Sequence, residues 1–258
     1  MSRAATPLWS VARRRRWPLL AASAVLLGAW EIYGQARDSI ILPPPSKVAA
    51  AFGDLVVSGQ LLEAAVPSLQ LLAAGLGASV LVGVAVGFLV ARVPLADRLL
   101  GPYISALYAT PEVALIPILI VWFGYGFSGR FVIVLLAGVF PMIYNVRAGV
   151  LAAPPDLEDM ARSFDARRST VVLRVLLPSA APYIVVGLRQ SIGRCVVGMI
   201  LAEAFLRLGG LGGLVFTFGA RFATDYLMAS VLVLPVLGVA LTRLVDVIYL
   251  RLSPWRRA

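Results

Sequence analysis

The sequence predicts an all-α membrane protein with six transmembrane helices, and three observations carry that prediction. The 258 residues are 60% hydrophobic and only 14% charged, with a mean hydropathy of +0.90. A soluble domain is close to half apolar and a quarter charged, so this chain is built for another solvent. The apolar residues are also gathered into six runs of the length a bilayer demands, since a core about 30 Å thick takes roughly 20 residues at 1.5 Å per residue. Finally, the 23 Lys and Arg, set against 13 Asp and Glu, flank those runs, as membrane topology imposes.

The first run, Trp17 to Tyr33, follows a basic N-terminal segment, residues 1–16, that holds Arg13 to Arg16. Residues 17–258 read as one transmembrane domain. Gly34 to Pro67 form a loop of mixed character with a Pro43-Pro44-Pro45-Ser46 turn and a short amphipathic stretch, Val48 to Val57. The second run, Ser68 to Val90, is rich in glycine. Its Gly83-x-x-x-Gly87 permits close helix contact, within one subunit or between two. The third, Tyr103 to Phe123, contains Pro111 and Pro117, and prolines kink or break a helix where a cavity or helix junction satisfies the freed carbonyls. Phe131 to Val150 is the fourth run, and a charged loop, residues 151–178, separates it from the fifth, Pro182 to Ala202. A Gly209-Gly210-Leu211-Gly212-Gly213 segment reads as a flexible re-entrant turn before the sixth, Tyr226 to Leu250.

Arginine asymmetry orients the chain. With both termini in the cytoplasm, that side receives Arg3, Arg13 to Arg16, Arg92, Arg98, Arg147, Arg162, Arg167, Arg168, Arg174, Arg243, Arg251, Arg256 and Arg257. The opposite side receives only Arg37, Lys47, Arg130, Arg207 and Arg221. The 34–67 loop is then external and the 151–178 loop cytoplasmic. A competing reading takes Arg13 to Arg16, Leu19 to Trp30 and Gly34-Gln35-Ala36 as a cleaved secretory signal. Cleavage leaves the arginine count unchanged, so that count does not decide the matter.

Within the cytoplasmic loop, Pro154 to Ala166 reads as a short helix. The prolines start it, and Asp156, Glu158 and Asp159 favour its positive N-terminal end. Leu157, Met160, Ala161 and Phe164 recur at helical spacing and are expected to form one apolar face. Such a helix docks a soluble partner or rests on the membrane surface, and spacing alone leaves both open.

Four ionisable residues within the runs are candidates for a transport pathway or for structural pairing: Glu112, Arg189, Arg194 and Glu203. An arginine at mid-bilayer costs about 2.5–3.5 kcal/mol on insertion scales. Neither arginine is therefore expected to face lipid unpaired, and Glu203, Glu112 or Glu31 is available. Glu31 is expected at the outer interface beside Trp30 and Tyr33, and Arg243 and Asp246, three residues apart, are expected to pair with each other.

The absences are also informative. There is no histidine and one cysteine, Cys195, which removes the commonest general base and metal ligand and any intrachain disulfide. No Gly-x-x-x-x-Gly-Lys-Ser/Thr phosphate loop exists around the sole lysine, Lys47. No cofactor is expected in this chain, and any ATP and Mg must belong to another. The basicity serves topology, so no nucleic-acid partner is expected.

Asp156 to Pro178 resembles the cytoplasmic Glu-Ala-Ala loop of binding-protein-dependent ABC importer permeases. Aligning on Leu177-Pro178 sets Asp159, Met160 and Ala161 at the Glu-Ala-Ala positions and Asp165 at the loop's glycine. Ile41-Leu42-Pro43-Pro44-Pro45-Ser46, Leu115-Ile116-Pro117 with Val121-Trp122-Phe123-Gly124, and Leu177 to Tyr183 with Gly187-Leu188-Arg189 and Gly193-Arg194 extend the likeness to the nitrate, sulfonate and taurine subgroup. The resemblance implies a type I importer (MetI-like) fold in a bacterial inner membrane, multi-pass. It implies a second permease subunit in a homodimer, a cytoplasmic ABC ATPase dimer gripped by the loop helix, and an extracytoplasmic substrate-binding protein. Asp159 is shorter than the family's glutamate, and Asp165 stands where glycine permits a left-handed turn. The rival reading is a stand-alone secondary transporter driven by an ion gradient. Against it, the chain has no obvious inverted repeat and would leave the loop helix without a task.

Overall fold

The computed structural model describes residues 8–37, 40–206 and 209–252. All secondary structure there is helical. In chain order the elements are α1 (Leu8–Arg37), α2 (Pro45–Val57), α3 (Gln60–Arg92), α4 (Pro94–Ala109), α5 (Glu112–Phe123), α6 (Phe127–Leu151), α7 (Pro155–Ser163), α8 (Arg168–Val171), a π-helical turn (Val172–Leu176), α9 (Leu177–Leu206), α10 (Gly210–Ala220) and α11 (Thr224–Leu252). Four stretches, Gln60–Arg92, Phe127–Leu151, Ser169–Leu206 and Thr224–Arg251, are long and apolar enough to cross a membrane among the described residues, and a bent pair, α4 with α5, brings the number to five.

That bent pair corrects the third predicted span. Instead of one helix over Tyr103 to Phe123, α4 and α5 meet at 107°. Thr110 is extended and Pro111 has no N–H, so the helix stops just before Pro111 and restarts at Glu112. Pro117, by contrast, sits inside α5. Of the two prolines expected to bend this region, only the first breaks it.

Helix α6 is the central post, packed between α3 and α9. Small residues set the spacing. A Cβ on Gly75 would lie 2.4 Å from Val134, on Gly83 2.5 Å from Met142, and on Gly87 2.8 Å from the Ile143 carbonyl. The Gly83-x-x-x-Gly87 motif therefore serves contact within the chain, the first of its two expected uses. Buried serines stitch the same helices together: Ser79 Oγ lies 2.9 Å from the Leu135 carbonyl and Ser191 Oγ donates to the Gly138 carbonyl at 2.7 Å. The outer faces invert the soluble pattern, with Leu81, Val121 and Val236 largely exposed, as a lipid solvent permits.

Other boundaries shift for physical reasons. Helix α3 begins at Gln60, eight residues before the expected span, because the chain turns at Gly59 with φ +76° and restarts there. The fifth span is longer than expected on its N-terminal side, where Pro178 and Pro182 lie in or against continuous helix. Proline lacks the N–H that would bond four residues back, and the π-turn at Val172–Leu176 absorbs the mismatch before Pro178.

Candidate functional site

The loop helix, α7, is short and strongly moored. Arg92 at the end of α3 donates two hydrogen bonds to Glu158, Nη1 to Oε1 at 2.8 Å and Nη2 to Oε2 at 2.9 Å, a bidentate fork. On the neighbouring helices Arg147 of α6 makes a similar fork to Asp97 of α4, at 3.2 and 2.9 Å. These clamps gather the ends of α3, α4, α6 and α7 at the arginine-rich end of the bundle. Neither was legible in the sequence, because partners separated by 66 or 50 residues carry no spacing signal. Glu158 was read only as an acid favouring a helix start.

The apolar residues of α7 are buried to different degrees. Ala161 turns inward against Ala153, Val171 and Leu176. Leu157, Met160 and Phe164 turn outward, with 41%, 55% and 81% of their surface exposed. Asp156, Asp159 and Asp165 are exposed as well. The helix ends in a Schellman-type cap: the Ala166 N–H reaches the Ala161 carbonyl at 3.0 Å and the Phe164 N–H reaches Met160 at 3.3 Å. Asp165 occupies the left-handed position of that cap with φ +50°.

At the other end of the bundle a second short helix, α10, is built in. Gly209 and Gly210 take φ +82° and +78°, folding the chain back onto α9. Glu203, fully buried, accepts the Gly212 N–H at 2.9 Å and the Ser68 hydroxyl at 2.6 Å, while Ser68 Oγ accepts the Leu211 N–H at 2.8 Å. One carboxylate and one hydroxyl thus satisfy two of the open amides of the α10 N-terminus. Glu203 is a buried cap. The glycine-rich segment is helical from Gly210, and its amides are already occupied by protein.

The remaining intramembrane charges are paired: Arg194 meets Glu112, one of the carboxylates expected to be available, whereas the partner of Arg189 was not foreseen. Arg194 Nη1 lies 3.2 Å from Glu112 Oε1, and its guanidinium stands over the Tyr108 ring at 5.9 Å. Arg189 Nη2 approaches Asp246 Oδ1 to 2.6 Å. The expected Arg243–Asp246 pair is therefore replaced by a contact across helices, because Asp246 faces α9. Glu31 accepts the Ser46 N–H at 3.0 Å and the Ser46 hydroxyl at 2.6 Å, capping α2 from α1.

Further polar and aromatic contacts run on from Tyr108 and along the neighbouring helices. Ser105 and Tyr144 hydroxyls meet at 2.8 Å, Tyr108 packs on Tyr144 with centroids 5.1 Å apart, and Asn145 Nδ2 donates to Gln190 Oε1 at 3.0 Å. None of these five residues stood out in the sequence, because single hydroxyls and amides do not stand out within apolar runs.

Comparison with known proteins converges on one family. The profile described as binding-protein-dependent transport system inner membrane component matches residues 79–258. The taurine transport system permease protein of Escherichia coli (strain K12) is 30% identical over 256 residues, covering 93% of this chain and 92% of the relative. A putative aliphatic sulfonates transport permease protein of Bacillus subtilis (strain 168) is 25% identical, covering 91% and 86%. Among solved structures, an inward-facing MetNI methionine ABC transporter shares the fold, with a TM-score of 0.61 at 19% identity over 77% of this chain and 96% of that one. The chain belongs to the binding-protein-dependent ABC importer permeases, within the subgroup that includes taurine and sulfonate permeases.

Proposed function

We propose that this chain is the membrane-spanning permease subunit of an ATP-driven importer for a small anion such as nitrate, a sulfonate or taurine. It crosses a bacterial inner membrane six times with both termini in the cytoplasm, pairs with a second copy, and accepts substrate from an extracytoplasmic binding protein. ATP and Mg belong to a separate ATPase dimer that grips α7. The observation that carries this reading is the exposure of Leu157, Met160 and Phe164 on a helix otherwise held fast by Arg92. A freely solvated loop gains nothing from three outward apolar side chains, whereas a partner groove buries them at roughly 25 cal/mol per Å².

The mooring suits a coupling role. Helix α7 is joined to α3 through Glu158 and to the base of α9 through Ala161 and Leu176. A displacement of α7 by the closing ATPase is thereby passed to two membrane helices together. No covalent chemistry is assigned to this chain; its work is to present a route and to change its shape.

The test is co-purification with candidate ATPase subunits, comparing the intact chain with Met160→Arg and Phe164→Arg. A complex that forms with the intact chain and is lost in both variants supports the assignment. No complex with any ATPase, or equal binding by the variants, refutes α7 as the coupling element. Uptake driven by an ion gradient in the purified chain alone would establish the secondary-transporter reading instead.

A further inference from the structure

The Arg194 cluster carries an inference that rests on the importer reading and goes beyond it. Arg194 lies about 25 Å along α9 from its start at Leu177, at 1.5 Å per residue, and so well inside the membrane-length stretch. Glu112 opens α5 directly after the 107° bend. Their side chains are nonetheless 53% and 25% exposed. A charged pair this open cannot face hydrocarbon, where even one arginine is strongly disfavoured; it faces water or a polar partner. Its surroundings agree, because Tyr108, whose ring lies under the guanidinium, packs in turn on Tyr144, and the Tyr144 hydroxyl meets that of Ser105.

The pairing is also incomplete. Among the described residues Glu112 engages Arg194 through one nitrogen at 3.2 Å, and the Tyr108 ring lies below the guanidinium. A guanidinium has five N–H donors in a planar fork suited to two oxygens of an oxyanion. Contrast Arg92, whose fork is filled by both oxygens of Glu158.

We propose that Arg194 is a way-station for a sulfonate-type oxyanion crossing the membrane, with Glu112 as the resident counter-ion that holds the arginine while the site is empty. The arriving oxyanion takes the open side of the fork, and Tyr108 keeps the guanidinium plane in place. Glu112 weakens the grip, so the anion leaves again. A full-strength arginine would trap it.

The experiment needs no knowledge of the natural substrate. Single cysteines are introduced about one turn to either side of Arg194, as Gln190→Cys and Val197→Cys, in the full chain in membrane vesicles. Each is treated with sulfonatoethyl methanethiosulfonate, itself a sulfonate, and with the cationic trimethylammonium analogue, with rates normalised to a free thiol. The unsubstituted chain, whose Cys195 is buried, sets the background. We expect the sulfonate reagent to be favoured about tenfold, within the range of electrostatic focusing in clefts. Adding Arg194→Gln should abolish the preference, and Glu112→Gln should increase it. Thiols that stay at background at both positions, or a preference indifferent to Arg194, overturn the site. An unchanged preference in Glu112→Gln overturns the counter-ion role. Loss of ATPase co-purification with the thiol result intact would sink the importer reading and leave the anion site standing.

Discussion

Helices α7 and α10 are both short pieces between longer ones, at opposite ends of the bundle. Helix α10 has its first turn sealed: Gly210 to Gly213 are buried, and its amides end on Glu203 and Ser68. Helix α7 is fastened by an ion-pair fork at its edge, and its apolar side chains point away from the bundle. The difference separates a part that completes the fold from a part held ready for another molecule. The first uses buried groups with no alternative partner, so each loss is felt globally. The second uses semi-exposed contacts that fix position at small cost, so each loss is felt locally.

The largest effect expected from this contrast is at Glu203. Glu203→Ala leaves the Gly212 amide without its acceptor in a buried site, at about 1–3 kcal/mol, and hands the Ser68 hydroxyl over to the Ala64 carbonyl 3.1 Å away. The detergent-solubilised chain should show a clear drop in melting temperature by fluorescence-detected size exclusion. Glu203→Gln, which keeps an acceptor oxygen, should recover part of it. Equal behaviour of alanine and glutamine would break the idea that the carboxylate works as a cap. Gly212→Ala comes next. Its Cβ would lie 2.6 Å from the Ile200 carbonyl, and overpacking of this kind costs about 1–3 kcal/mol.

How much of this contrast was legible beforehand follows from what each part rests on. The second, fourth, fifth and sixth apolar runs and the loop helix are written in local pattern, and helices cover them, though with shifted ends. The left-handed turn at Asp165 was legible only through the family resemblance, which sets that residue at the loop's glycine. The bend at Pro111 was half legible: proline chemistry pointed to a break, but nothing chose Pro111 over Pro117. Glu203 was misread in one respect. A lone glutamate near the end of a span carries no sign that its partners are a serine 135 residues earlier and a backbone amide nine residues later. The same holds for Arg189 and Asp246, because helices that meet in three dimensions choose partners that spacing along one helix cannot reveal.

On the α7 side, effects should be smaller and local. Removing the fork with Arg92→Ala costs about 0.2–1 kcal/mol, as semi-exposed pairs do. The melting temperature should barely move, while amide exchange across Pro155–Ser163 quickens and ATPase co-purification weakens. A variant with a much lower melting temperature would place Arg92 among the fold-completing contacts, with Glu203, and collapse the distinction.

The two ends also differ within the same backbone geometry. Phe222, before α11, also caps its helix in the left-handed region, with φ +55° and its neighbour's Ala223 N–H on the Phe218 carbonyl at 3.0 Å. Neither Phe222 nor Asp165 is glycine, yet each holds the position where glycine carries no Cβ penalty. Asp165 is better suited, because aspartate tolerates this region more readily than a bulky aromatic. Glycine at 222 should therefore stabilise the chain by about 1 kcal/mol, and glycine at 165 by less. The second change should be seen only as slower amide exchange at the end of α7, with no shift in melting temperature. If Asp165→Gly raised global stability as much as Phe222→Gly, the loop helix would be as integral to the fold as the turn before α11. Its outward side chains would then need an explanation other than a waiting partner.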